Sequence, residues 1–328
     1  MACVLLYRLE YNFYAIRNHL FMLPNQKNKY RLESSNPSVL AFFEPNSSTF
    51  SYLVRDINSD CCAIVDSVLD FEYASGVVSY QCADEIIACV QEMGLQVTLL
   101  LETHVHADHL SAAPYLQQRL GGKIAISKNI MQVQHEFGTL FNEGDDFSRD
   151  GSQFDMLLEH KQSFEIGELR GTAIATPGHT PACMSFLIGD ALFVGDTLFM
   201  PDSGTARADF PGGDARVLYH SIKRLLSLPD DTRVFICHDY QPDGRALEYT
   251  TTVADQRQHN IHVNPLVSED AFVELREARD RQLSMPKLIL PSLQVNMRAG
   301  FFPPAEDNQV RYLKVPISGL KTTSPIQK

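Results

Sequence analysis

The sequence predicts an α+β protein in which two mixed sheets pack together and carry helices on their outer faces. Three observations predict it. Apolar stretches of strand length fall in two blocks, on either side of the polar region Asn142–Gln153. Each block contains segments of helical periodicity. Apolar helix stripes and apolar sheet faces must be buried against one another, and two such pairs stack into layers.

The first block begins after Asn36-Pro37, which reads as a boundary. "SVLAFFEP" and "TFSYLVRD" read as strands, and "CCAIVDSVLD" holds another, ending near Asp66. A helix is expected around Asp84–Met93, with Ile86, Ile87, Val90 and Met93 on one face and Gly94 as its stop. "QVTLLLE" (Gln96–Glu102) reads as a buried strand. A helix from about Ser111 carries Tyr115, Leu116 and Leu120 and ends at Gly121-Gly122. "KIAIS" is a strand, and Met131–Phe141 a helix.

The second block starts near Ser163. "SFEIGEL", "GTAIATPG", "CMSFLIG" and "ALFVGD" read as strands, with a tight hairpin at Gly189-Asp190. "DARVLYHSIKRLLSLP" is an amphipathic helix whose stripe is Val217, Leu218, Ile222, Leu225 and Leu226. "TRVFICHD" is the next strand and "TTVADQRQHN" is helical. Beyond about Glu277 six prolines predict an irregular segment that wraps the domain. The domain is thus expected over residues 37–328. Residues 1–36 are read as a poorly ordered extension.

The chain has 328 residues, with 28 Lys plus Arg against 40 Asp plus Glu, a formal charge of −12. That balance argues against a nucleic-acid partner, which would need a basic footprint. No apolar run reaches the length of a membrane span. The seven cysteines are odd in number and include no C-x-x-C pair, so a disulfide framework is not expected. A cytoplasmic location is expected, with organelle targeting by the extension as the alternative.

The chemistry is concentrated in "LLETHVHADHLSAA" (Leu100–Ala113). His104, His106, Asp108 and His109 crowd into six residues at a strand end. Imidazole and carboxylate suit zinc and iron, which want several such donors. A lone histidine is ordinarily a surface or satisfied core residue. Here three further strand ends offer the same chemistry: His179 in "TPGHTPAC", Asp196 in "LFVGDTLF" and His238 in "VFICHDY".

In this order, "THVHADH", "GHT", "GDT" and "HDY" resemble the metallo-β-lactamase superfamily, over about Pro37 to Asn260. The resemblance implies an αβ/βα sandwich with metals at one edge between the sheets. It implies that His104, His106 and His179 hold a first metal, that Asp108, His109 and His238 hold a second, and that Asp196 bridges them. All seven positions carry the implied residue type.

Two branches of that superfamily share these residues. Glyoxalase II members use two metals, zinc or mixed zinc and iron, to hydrolyse a glutathione thioester. Persulfide dioxygenases use one Fe(II) per chain. The implied ligands there are His104, His179 and Asp196, a two-His-one-carboxylate triad. His106, Asp108, His109 and His238 then stand beside the iron without binding it. The reaction implied is oxidation of glutathione persulfide, or a related small persulfide, by O2 to sulfite.

"GTARADFPGGDARVLYHSI" (Gly204–Ile222), "CHDY" and "GHTPAC" resemble the dioxygenase branch more than glyoxalase II. Arg207 is expected to bind a glutathione carboxylate. Its alternative is an ion pair with Asp202 or Asp209. Tyr240 is expected to donate a hydrogen bond to the tripeptide, its alternative being core packing. For Cys183, packing is at least as good a reading as function. The sequence departs from the branch at Thr205-Ala206, where Cys-Gly is usual, and at the insert "QPDGRALEY". A small thiol or persulfide and O2 are therefore the expected partners, with no membrane, and a homodimer is compatible with that reading. A third reading is a non-catalytic metal-binding protein, which would not need seven ligand positions.

Overall fold

Pleated segments with one or both faces apolar need partners on those faces, and the chain supplies them in layers. The computed structural model describes residues 36–317; the expected extension lies outside the described residues, save for Asn36. Strands β1 (Ser38–Glu44), β2 (Thr49–Arg55) and β3 (Cys61–Val65) are followed by β4 (Val68–Glu72), β5 (Val77–Ser79) and helix α1 (Gln81–Glu92). Next come β6 (Gln96–Leu101), β7 (Leu110–Ser111), α2 (Ala113–Leu120), β8 (Lys123–Ser127), α3 (Ile130–Leu140) and β9 (Met156–Leu158). The second half holds β10 (Ser163–Ile166), β11 (Leu169–Ala175), β12 (Met184–Ile188), β13 (Ala191–Phe193), α4 (Ala215–Leu225), β14 (Arg233–Phe235) and β15 (Thr250–Thr252). Three helices close it: α5 (Val253–His259), α6 (Glu269–Asp280) and α7 (Ile289–Asn296).

One six-stranded sheet has the order β1-β2-β3-β6-β8-β9 and the other β10-β11-β12-β13-β14-β15, with a small sheet β5-β4-β7 beside them. Phe50, Tyr52, Val65 and Leu101 of the first sheet pack with Phe164, Phe186, Phe193 and Phe235 of the second. The outer face of the first sheet is covered by α1, α2, α3 and α7 through Ile86, Leu116, Val133 and Leu293. The outer face of the second is covered by α4 and α6 through Leu218, Ile222 and Phe272. This is the expected αβ/βα sandwich. The Gly189-Asp190 hairpin is present, with Ile188 paired to Ala191.

The strand in "CCAIVDSVLD" ends near Asp66 as expected, because Asp66 takes the left-handed region at φ 52°, and a further strand, β4, follows it. Two expectations are corrected. Val217 is not on the buried stripe of α4; it is 40% exposed, and Ala215 and Ser221 complete that face. The segment beyond Glu277 is not wholly irregular, since α6 ends in it and α7 lies within it. Pro291 sits in the first turn of α7, where a missing N–H removes no helical bond. Nearly every residue of α7 is buried, so it has no polar face to give a helical period. In α6 the buried face includes Arg276 and Asp280, which hides its stripe.

The topology brings the chemistry to one edge. β3, β6 and β8 run parallel, as do β13 and β14, and β11 runs the same way as β13 through two antiparallel steps. Their C-terminal ends therefore lie together in each sheet. The two sheets are tied there by Met184 N to Thr103 O at 2.9 Å and Phe50 N to Cys237 O at 2.8 Å. Gly195 adopts φ 50°, and a Cβ there would lie 2.5 Å from Thr103 Oγ1, so the close approach of the sheets requires glycine.

Candidate metal centre

Each predicted ligand follows a strand end. His104, His106, Asp108 and His109 follow β6, His179 follows β11, Asp196 follows β13 and His238 follows β14. All five histidines are buried. His104, His179 and Asp196 offer ligand atoms that lie within 4.8 Å of one another. Asp196 Oδ2 is 3.6 Å from His179 Nε2 and 4.0 Å from His104 Nε2. Asp196 Oδ1 is 3.2 Å from His238 Nε2, which is 3.6 Å from Asp108 Oδ2. Asp108 also groups with His106 and His109, and His238 with Asp196 and Cys237.

The hydrogen bonds fix which nitrogen of each ring is free. Thr103 Oγ1 spends its proton on Asp66 Oδ2 at 2.8 Å, so at 3.0 Å it accepts from His104 Nδ1. His179 Nδ1 donates to the carbonyl of Arg207 at 2.8 Å, and His109 Nδ1 donates to that of Leu110 at 3.1 Å. His106 is turned the other way. Its Nε2 meets Asp66 Oδ1 at 3.0 Å and Glu102 Oε2 at 3.5 Å. His104 Nε2, His106 Nδ1 and His109 Nε2 are left buried without a hydrogen-bond partner. Leaving buried polar nitrogens unpaired is costly. An ion that accepts their lone pairs removes that cost, so the donor set fits a metal. Orientation of a ligating imidazole by a carboxylate or carbonyl on its far nitrogen is the usual outer-shell arrangement.

The electrostatics divide the donors: His104, His109 and Asp196 are held in the forms that accept a cation, whereas His106 and His238 are biased toward their protonated forms. Burial, with His106 next to it, holds His104 well below the ordinary histidine value. Burial likewise pushes His109 down to about 4. For His106 burial is outweighed by Asp66, and for His238 by Tyr240, Asp196 and other groups, so both are held well above it. Burial raises Asp196, but His238, His104 and His179 together hold it well below the carboxylate range.

Asp66, Thr103, Glu102 and Asn296 also contact the cluster or its loop, and the sequence pattern does not single them out. The nearest to a signal is Asp66, an acid at the end of an apolar strand. Asn296 had none. The expected carboxylate-binding role of Arg207 meets a different arrangement. Its guanidinium forks onto Asp209 at 2.6 and 2.9 Å and donates to Ser284 O at 2.7 Å. It also lies over the Phe210 ring at 4.8 Å. The alternative ion pair with Asp209 is thus present, while Asp202 is taken by Arg245. Tyr240 is not core: it is 57% exposed and stacks on His238 with ring centroids 5.7 Å apart. Cys183 is buried, and its sulfur contacts Thr180 Oγ1 at 3.0 Å.

A probable metallo-hydrolase of Burkholderia pseudomallei is 55% identical, over 86% of this chain and 100% of its own length. Glyoxylase B2 of Dictyostelium discoideum is 46% identical over 88% of this chain and 99% of its length. The human mitochondrial persulfide dioxygenase ETHE1 is 29% identical over 79% of this chain and 87% of its length. The crystal structure of ETHE1 from Myxococcus xanthus matches with a TM-score of 0.64 at 29% identity, covering 80% of this chain and 100% of that one. No helix among the described residues is long and apolar enough to cross a membrane. Residues 45–238 match the metallo-beta-lactamase superfamily, and with the expected donors gathered at the shared sheet edge the chain belongs to that family of metalloenzymes.

Proposed function

We propose that the chain is a mononuclear non-haem iron dioxygenase that oxidises glutathione persulfide, or a related small persulfide, to sulfite. The observation that carries this reading is the grouping of the ligands. His104, His179 and Asp196 form a two-His-one-carboxylate set, while Asp108 and His109 group with His106, and His238 groups with Asp196 and Cys237. The likeness to human persulfide dioxygenase supports the same reading. In the balanced reaction a persulfide, O2 and water give a thiol, sulfite and protons; the persulfide is the reductant and O2 the oxidant.

A ferrous ion in this set would supply open positions where a substrate sulfur and O2 meet. The chain's own residues do the rest. Thr103 and the Arg207 carbonyl orient His104 and His179, so that both present Nε2 toward Asp196. Tyr240, exposed above His238, is placed to donate to a peptide substrate. Arg207 acts through His179 in this reading, since Asp209 and Ser284 occupy its guanidinium. An apolar cleft lined by Val105, Ala107, Phe210 and Ile289 flanks the same loops and offers a dry wall.

A second reading is a dinuclear hydrolase of the glyoxalase II type, with two zinc ions or a mixed pair. The free His106 Nδ1 and His109 Nε2 favour it, as do the names of relatives at 46 and 55% identity. An oxygen electrode separates the two. Protein purified under low oxygen is offered glutathione persulfide and, separately, an acyl-glutathione thioester. The first reading expects O2 uptake with sulfite formation. Thioester cleavage without O2 uptake would replace it by the second.

A further inference from the structure

We infer that Asn296, from the far end of the chain, is a positioning residue for the metal-binding loop. Its side chain closes on that loop at three points. Nδ2 donates to the carbonyl of His106 at 2.9 Å and to that of His109 at 2.8 Å. Oδ1 accepts from Ser111 N at 2.8 Å. Asn296 is buried, and these bonds use both protons of its amide and one oxygen lone pair. The loop leaves β6 and returns at β7, which is only two residues long. Between them the chain must bend so that His104 and His106, two apart, project into one pocket, and such a bend leaves carbonyls that no ladder can satisfy. Asn296 satisfies two of them at once and pins the bend from behind.

The placement of Asn296 is itself secured. α7 is buried on nearly all sides, and Gln134 Nε2 donates to Met297 O at 2.9 Å. Gln294 bonds both the N–H and the carbonyl of Lys314. Gly300 comes so close to the loop that a Cβ there would lie 2.9 Å from Ser111 O. The C-terminal segment is thereby part of the metal centre without supplying a ligand. Asp66 grips the loop at Thr103 and His106, and Asn296 grips it from His106 to Ser111.

The inference rests on the metal centre and not on which reaction it performs. The test is cobalt(II) affinity of the full chain stripped of metal, read from the ion's visible absorption in competition with a chelator. Asn296→Ala removes all three bonds. Asn296→Asp keeps the acceptor for Ser111 and removes the donor. Both are expected to weaken cobalt binding by about ten- to a hundredfold, as loss of an outer-shell partner does. Ser292→Ala, on the same helix, is expected to bind as the wild type does. Should the alanine variant fail to fold, the aspartate variant carries the test. Wild-type affinity in a folded Asn296 variant, or an equal loss in Ser292→Ala, overturns the inference. Absence of O2 uptake would sink the dioxygenase reading and leave this affinity result untouched.

Discussion

The Nδ1 of His179 donates to the carbonyl of Arg207 across 2.8 Å, so a backbone atom sets the tautomer of a ring whose Nε2 faces Asp196. The Arg207 side chain in turn holds that backbone, forked onto Asp209 and bonded to Ser284 O. Arg207→Ala and Asp209→Ala should therefore act through the same contact. Each is expected to lower kcat and metal retention by about ten- to a hundredfold, with little change in KM. The double variant should lose little more than either single one. A raised KM with intact kcat and metal content would instead return Arg207 to substrate binding.

The same loop is braced from below by a buried ion pair. Arg276, 2% exposed, pairs with Asp280 at 2.6 Å and donates to Thr205 O, while Asp280 Oδ2 accepts from Ala208 N. Removing one member of such a pair leaves a buried charge without compensation. Arg276→Met is expected to destabilise the fold by about 3–5 kcal/mol in urea unfolding. It should also loosen residues 205–208, read as faster amide exchange there. A loss under about 1 kcal/mol would mean the pair is not buried in solution.

An acid-stability prediction comes from Asp56, far from the metal ligands. Burial raises its pKa, but bonds from Ser59 Oγ and the N–H groups of Asn58 and Glu168 outweigh that and hold it below the ordinary 3.8. The bond from Glu168 N ties the β2–β3 turn to the β10–β11 turn. A carboxylate whose folded pKa is depressed contributes stability above its unfolded value and loses it as pH falls through the folded one. Asp56→Ala should cost about 1–3 kcal/mol near neutral pH, because two backbone N–H groups lose their acceptor. The difference from wild type should shrink below about pH 4. A difference independent of pH would contradict the assignment.

Much of this is legible in the sequence. β6, β11, β13 and β14 end at, or within two residues of, the ends of the apolar runs of the sequence, and each ends a few residues before a His or Asp of the cluster. Strand ends are local, so local pattern finds them. What could not be read is long-range. Asn296 reaches a loop 187 residues away at His109, and nothing in "SLQVNMRAG" distinguishes it from a surface amide. Arg207 next to Asp209 reads equally as an anion site and as an ion pair; only the geometry of Ser284 and Phe210 separates the two. The helix α7 was hidden because burial on all sides erases the periodicity by which helices are recognised.

The central claim is that one metal, held by His104, His179 and Asp196, suffices. Iron per chain and persulfide-dependent O2 uptake in His109→Ala, set beside Asp196→Ala, test it most directly. The account predicts that Asp196→Ala loses both, while His109→Ala keeps about one iron per chain and most of the uptake. Equal loss of metal in the two variants, from a wild type holding two ions, would contradict it.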